Sequence, residues 1–149
     1  MRTVAFALAL FALAATPASA GESPEDVIKY RQVTMGAMGR AMGLSKLLVQ
    51  EKVSRDGALL AQAEYLHALG QDLGASFPEG TGVGGKHETE ALATIWSDAE
   101  GFAKAVKAYN DATAAFVEAA KTGDRAAQAQ ARGKVGAACG GCHETYRVE

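Results

Sequence analysis

The chain has 149 residues, which is close to the usual size of one domain. Its apolar fraction of 48% and charged fraction of 21% exclude intrinsic disorder and collagen-like repeats. With 15 Lys and Arg against 17 Asp and Glu, the net charge is −2, so nucleic acid is not an expected partner. Two cysteines are too few for a disulfide scaffold.

The first 20 residues have the pattern of a secretory signal peptide. Arg2 precedes an apolar run over 4–15, and the small residues Ala18-Ser19-Ala20 form a cleavage site. A membrane anchor is the alternative, but Pro17 interrupts the run before the roughly 20 apolar residues that a span requires. We therefore expect residues 1–20 to be removed, leaving a periplasmic domain of residues 21–149 with no membrane span.

Helical periodicity and capping residues predict four helices in this domain. Ser23 before Pro24 is an N-cap signal, Asp124 is another, and a Gly-rich loop over 77–87 separates the two halves. No segment alternates apolar and polar residues as a strand does. The predicted fold is all-α, an antiparallel up-down-up-down four-helix bundle. Its helices are expected at about 23–52, 57–73, 95–121 and 124–146.

Both cysteines lie in one pentapeptide, Cys139-Gly140-Gly141-Cys142-His143, which is the attachment signature of a c-type haem. Residues three and four apart share a helix face, so both thiols can bind one porphyrin while His143 faces its iron. Thiol–disulfide exchange is an alternative use of Cys-x-x-Cys, normally at a helix that follows a strand, and an inert disulfide is another. Zinc is not expected because no second ligand pair has suitable spacing. We predict one covalent haem c.

Three segments of the domain resemble the class II cytochromes c, the family of cytochrome c′ and cytochrome c-556. Residues 135–147, with the haem motif close to the C-terminus, are similar to the family's last helix. Residues 24–32 are similar to its first helix and 95–98 to the start of its third. The resemblance implies a four-helix bundle that is often a homodimer through its first two helices.

The resemblance also implies roles for particular residues around the haem. It makes His143 the proximal iron ligand and places a basic residue, Arg147, beside it. Independently, Arg31 shares a helix face with Met35, where an inward cation would need an anion such as a haem propionate; a surface arginine is the alternative. The residues expected near the haem propionates or edge are Arg31, Gln32, Thr89, Glu90 and Arg147.

Met35, Met38 and Met42 lie on one face of the first helix, and a glycine follows each of them. A glycine inside a helix costs about 1 kcal/mol relative to alanine, so three of them suggest a close neighbour. Core packing is the alternative role for Met38 and Met42. In an up-down-up-down bundle the first helix starts at the end where the fourth helix finishes. Of the three methionines, Met35 is therefore the nearest to His143 along the bundle axis. The resemblance places a haem-facing residue of the first helix at the same position, and residues 35–43 are more similar to cytochrome c-556 than to cytochrome c′. We therefore predict that the Met35 sulfur is the sixth ligand of a low-spin iron.

A His/Met centre favours electron transfer. The first functional hypothesis is therefore a periplasmic carrier of single electrons that serves redox partner proteins and is not an enzyme. The alternative is a five-coordinate protein of the cytochrome c′ type, which binds nitric oxide or carbon monoxide at an open distal site. A dithiol oxidoreductase without haem is the third hypothesis.

Overall fold

The computed structural model describes residues 21–55 and 57–148. The predicted signal peptide, residues 1–20, lies outside this range. Within it no strand forms, and no helix is both long and apolar enough to cross a membrane. The helices are α1 (Pro24–Val49), α2 (Ala58–Gly70), α3 (Thr94–Ser97), α4 (Ala99–Ala120) and α5 (Arg125–Tyr146).

The two helices that carry most of the predicted haem residues begin at their predicted caps. The Ser23 hydroxyl accepts a hydrogen bond from the Asp26 amide at 3.1 Å, at the start of α1. The Asp124 carboxylate accepts one from the Ala127 amide at 3.0 Å, at the start of α5. These caps satisfy amides that a helix leaves unpaired in its first turn.

Two predicted helix ends are wrong, and the predicted third helix is divided into two. The first helix ends at Val49 and the second at Gly70, where a 3-10 turn, Gly74–Ser76, follows shortly. The third is interrupted at Asp98, whose backbone leaves the helical region (φ −121°, ψ 56°). The Asp98 carboxylate accepts a hydrogen bond from the Gly101 amide at 3.1 Å. One residue therefore ends α3 and caps α4, a local competition that apolar spacing does not reveal.

The helices form the predicted four-helix bundle, with α3 as a short extension before α4. α4 packs against both α2 and α5, and α1 closes the bundle against the same two helices. The main core contains the fully buried side chains of Leu66, Phe116 and Val135. A smaller cluster of Ala91, Ile95, Phe102 and Tyr146 lies where α3, α4 and the end of α5 meet.

The outward face of α1 carries four large apolar side chains. Tyr30, Val33, Leu44 and Leu47 are 53%, 57%, 52% and 39% exposed. Their spacing places them along one stripe of the helix. We call these four residues the α1 stripe.

Candidate haem site

A cavity of about 880 Å³ lies between α1, α4 and α5, next to the chain that precedes α3. This volume is in the range of pockets that hold small molecules and cofactors, roughly 300–1,000 Å³. Most of its wall is apolar. Every residue that the sequence predicted for the haem site lines this one cavity: Arg31, Gln32, Met35, Thr89, Glu90, Cys139, Cys142, His143 and Arg147.

Cys139 and Cys142 reach the cavity from α5 as half-buried free thiols. Burial raises the pKa of both thiols, so they are protonated at neutral pH. Redox-active cysteines have a lowered pKa instead, and no strand precedes this motif within the described part of the chain. The site is therefore not built for dithiol exchange, whereas two free thiols facing one cavity suit covalent attachment of a cofactor.

His143 is half-buried on the same wall. Burial lowers the pKa of its imidazole, and the positive charge of Arg147 lowers it further, while the Glu90 carboxylate opposes the change. Glu90 Oε2 lies 3.7 Å from Arg147 Nε. The ring is consequently neutral near pH 7, the state in which imidazole binds a metal.

Arg31 lies on α1 with only 4% of its surface exposed. Its Nη1 donates hydrogen bonds to Ser76 O at 3.1 Å and Thr81 Oγ1 at 3.0 Å. Its Nη2 donates to Thr81 O at 2.7 Å and Thr89 Oγ1 at 2.8 Å. Burial lowers the pKa of Arg31, yet a guanidinium keeps its charge in proteins. The alternative of a surface arginine is thus excluded, and no carboxylate pairs with this cation among the described residues.

The segment over 88–91 connects α1 to the end of α5. Gln32 Nε2 donates a hydrogen bond to Glu88 O at 3.1 Å, and Thr89 Oγ1 accepts one from the Ala91 amide at 3.2 Å. On the other side, the Val148 amide donates to Glu90 O at 2.8 Å. These contacts bring the loop residues to the cavity beside the haem-binding motif.

The methionine face of α1 forms a further part of the wall. Met38 is buried, while Met35 and Met42 are half-buried and pack against the main core. A Cβ atom added to Gly39 or Gly43 would meet no other atom within 4 Å. Packing within the chain therefore does not explain these two glycines. Gly39 lines the cavity, whereas Gly43 does not.

This difference allows a matched pair of substitutions in the haem-loaded protein. Gly43→Ala is expected to raise the melting temperature by a few degrees, because alanine removes a helix cost of about 1 kcal/mol. Gly39→Ala is expected to raise the melting temperature less, or to lower it, because the added methyl group would occupy space beside the cofactor. Thermal unfolding followed by circular dichroism compares the two variants. Equal gains would mean that the cofactor does not use the space beside Gly39.

Several cavity residues were not identified from the sequence. Two tyrosines of the wall were missed. The Tyr109 hydroxyl donates a hydrogen bond to Leu66 O at 2.9 Å, and the Tyr146 hydroxyl donates one to Asp98 Oδ2 at 2.8 Å. Thr81, which does not line the cavity but is 1% exposed and binds Arg31, was missed as well. The α4 aromatic residues Phe102, Tyr109 and Phe116 follow one another at intervals of seven residues. This spacing places them on one helix face and could have indicated that the face points inward.

One comparison with known families is decisive. A family model described as Cytochrome C′ matches residues 26–147. The chain belongs to the cytochrome c′ family. This match confirms the class II resemblance and makes covalently bound haem c, with its iron, the cofactor. The cavity fits such a group, because it combines two free thiols, a neutral imidazole and apolar walls.

Individual relatives agree with the family assignment. A cytochrome c′ from Pararhodospirillum photometricum is 39% identical over 126 residues, which cover 84% of this chain and 98% of that protein. A nitric oxide complex of a variant cytochrome c prime from Alcaligenes xylosoxidans is similar with a TM-score of 0.76 and 34% identity, over 85% of this chain and 98% of that one. A cytochrome c′ described as having an unusual ligand-controlled dimer dissociation is similar with a TM-score of 0.80 and 33% identity, over 87% and 100%.

The predicted electron carrier with a His/Met-ligated iron is wrong. The matching family model and the Pararhodospirillum relative are described as cytochrome c′, and variants of the Alcaligenes protein have been solved with nitric oxide and with carbon monoxide bound. The error arose at Met35, because being the methionine nearest in height to His143 does not establish a bond between its sulfur atom and a metal. Met35 packs against the main core as part of the cavity wall. The alternative hypothesis, a gas-binding protein of the cytochrome c′ type, fits these findings.

Proposed function

We propose that this protein is a periplasmic haem c protein that binds nitric oxide or carbon monoxide at a five-coordinate iron and is not an enzyme. One observation carries the proposal: among the described residues that line the cavity, His143 is the only imidazole, and no amine lines it. The α1 wall offers thioethers and glycines instead. With His143 as its one nitrogen ligand, a bound haem iron would keep a position for a diatomic gas, and the related cytochrome c prime variants solved with nitric oxide and carbon monoxide support this use of the site.

Each part of the wall has its own task in this proposal. The bound haem supplies the iron that takes the gas. Cys139 and Cys142 hold the porphyrin through thioethers, and the neutral ring of His143 provides the proximal nitrogen. The apolar side chains around Met35 and Met38 exclude water and disfavour charged ligands, because an anion is costly in apolar surroundings. Neutral diatomic gases are therefore the preferred ligands.

The polar residues of the cavity are proposed to surround the haem propionates and edge. Arg31 supplies a buried cation, and Gln32 and Thr89 supply neutral polar groups. Arg147 follows the last residue of α5, its amide donates a hydrogen bond to His143 O, and its side chain forms an ion pair with Glu90. Through Arg147, the Glu90 carboxylate influences the charge that surrounds the proximal imidazole.

The visible spectrum tests the open iron. We expect a high-spin ferric spectrum, a shift of the Soret band when carbon monoxide is added to the ferrous protein, and the same ferric spin state in Met35→Ala. Met38→Ala is the control for loss of a neighbouring core methionine. A sulfur–iron charge-transfer band that disappears only in Met35→Ala, together with no binding of carbon monoxide, would contradict the proposal. Correctly exported protein without a Soret band would contradict haem binding altogether.

Export and maturation form a second part of the proposal. Residues 1–20 are removed after Ala20, and residues 21–149 fold in the periplasm, where a redox partner protein reduces the iron. The charged start, apolar run and small-residue site of the signal support this. N-terminal sequencing of the purified periplasmic protein is expected to begin at Gly21.

We also propose that the protein is a homodimer that associates through the α1 stripe. The four apolar side chains of the stripe are exposed on one helix face. A related cytochrome c′ with a TM-score of 0.80 is described by its dimer dissociation. An isologous contact would cover the stripe of both copies at once.

A further inference from the structure

The chain between the 3-10 turn and α3, residues 77–93, is a compact loop that we call the cavity loop. It is closed by its own hydrogen bonds, from the Val83 amide to Ala91 O at 2.8 Å and from Thr81 Oγ1 to Pro78 O at 2.8 Å. Five of its residues line the cavity: Phe77, Glu88, Thr89, Glu90 and Ala91. The position of this loop therefore decides how far water reaches the haem site.

Arg31 connects this loop to α1 at three places. Its guanidinium binds Ser76 at the entry of the loop, Thr81 in its middle and Thr89 near its end. The guanidinium carbon also lies 4.6 Å from the centre of the Phe77 ring, a cation–π distance. Three of these four partners belong to the cavity loop itself, and all four come from the short stretch over 76–89.

The number of donors limits what else Arg31 can bind. A guanidinium has five N–H groups, and the four on Nη1 and Nη2 are matched by Ser76 O of the 3-10 turn and by three acceptors of the cavity loop. Only the Nε–H makes no hydrogen bond among the described residues. A carboxylate therefore cannot receive the two parallel bonds that arginine typically offers unless the loop is released.

We propose that Arg31 is a positioning residue that holds the cavity loop against α1 beside the haem site, rather than a residue that binds a haem propionate through two parallel hydrogen bonds. The part of this inference that concerns the propionate rests on the proposed haem site, whereas the part that concerns the loop does not. Without the four bonds, the acceptors of Ser76, Thr81 and Thr89 lose their buried partner, and the loop opens locally.

Arg31→Lys in the haem-loaded protein is the first test, because lysine keeps the charge but cannot bind three places with planar geometry. We expect amide hydrogen exchange of the cavity loop to become at least about ten-fold faster, since loop opening is a local equilibrium. Exchange in α5 is expected to stay unchanged. Arg40→Lys, at an exposed arginine of the same helix, is the matched control and is expected to change neither region.

Thr81→Val is the second test, because it leaves the cation and the haem motif intact while removing one Arg31 acceptor, together with the hydrogen bond from Thr81 Oγ1 to Pro78 O inside the loop. It is expected to accelerate loop exchange and, like Arg31→Lys, to shift the haem reduction potential to more negative values, because solvent exposure is one of the factors that set the potential. Unchanged loop exchange in both variants would overturn the inference. A potential that shifts in Arg31→Lys but not in Thr81→Val would assign Arg31 to the propionate alone and would also overturn it. Carbon monoxide binding, measured separately, reports on the proposed function independently.

Discussion

Replacing Cys139 and Cys142 together with alanine is expected to leave little folded protein that carries haem. Neither thioether can form, and a cavity of about 880 Å³ loses the group that fills it. Removing a single core side chain already costs about 2–5 kcal/mol, while the whole stability of a small domain is about 5–15 kcal/mol. The Soret absorbance and the helical circular dichroism of exported protein measure the two losses.

A single substitution serves as the control for the double variant. Cys142→Ala keeps Cys139 and His143, so one thioether and the proximal nitrogen still hold the cofactor. We expect haem to be retained with reduced thermal stability. If the haem-free double variant kept its full helical signal and its melting temperature, the bundle would tolerate the empty space, and the haem would not contribute to the stability of the fold.

Leu44→Glu is expected to convert the homodimer into monomers. Leu44 is 52% exposed on the α1 stripe, and a two-fold interface introduces the new carboxylate twice into one apolar contact. Burying unpaired charges in the centre of an interface is costly. We expect the dissociation constant to rise at least about 100-fold, which corresponds to roughly 2.7 kcal/mol. Sedimentation equilibrium of the haem-loaded protein is the measurement.

Val83→Glu provides the matched control, because Val83 is 40% exposed in the cavity loop and is not part of the α1 stripe. It is expected to leave the dissociation constant unchanged, while Val33→Glu within the stripe is expected to act as Leu44→Glu does. An unchanged Soret spectrum shows that each variant is folded around its haem. A dimer that persists in both stripe variants would locate the interface elsewhere. A wild-type protein that is monomeric at every concentration would contradict the proposed homodimer.

The sequence predicted features whose cause lies within a few residues. Ser23 and Asp124 cap helices because their side chains bind amides three residues further on. The haem motif was recognised for the same reason, since Cys139, Cys142 and His143 share a face of one helix. Asp98 shows the limit of such reasoning, because its capping bond to Gly101 is equally local but was hidden within a continuous helical pattern.

The Arg31 contacts illustrate what a sequence does not contain. Its acceptors on Ser76, Thr81 and Thr89 lie 45, 50 and 58 residues away along the chain. Sequence reasoning assigned this cation an anionic partner, because burying an unpaired charge is costly. In the folded chain, neutral carbonyl and hydroxyl oxygens of Ser76 and of the cavity loop receive four of its five donors.

The amino-acid sequence was sufficient to establish the class of fold, the attachment motif and the set of residues that converge on one cavity. The fold class and the motif depend on helical periodicity and on side-chain chemistry, which are both local properties, whereas Gln32, Thr89, Glu90 and Arg147 were expected at the haem from the family resemblance. The folded structure was needed to show that Met35 packs in the cavity wall, that Arg31 binds the loop and that Tyr109 and Tyr146 complete the lining. Such contacts depend on how helices pack and where a loop returns, and those distances are set by the whole bundle rather than by any one segment.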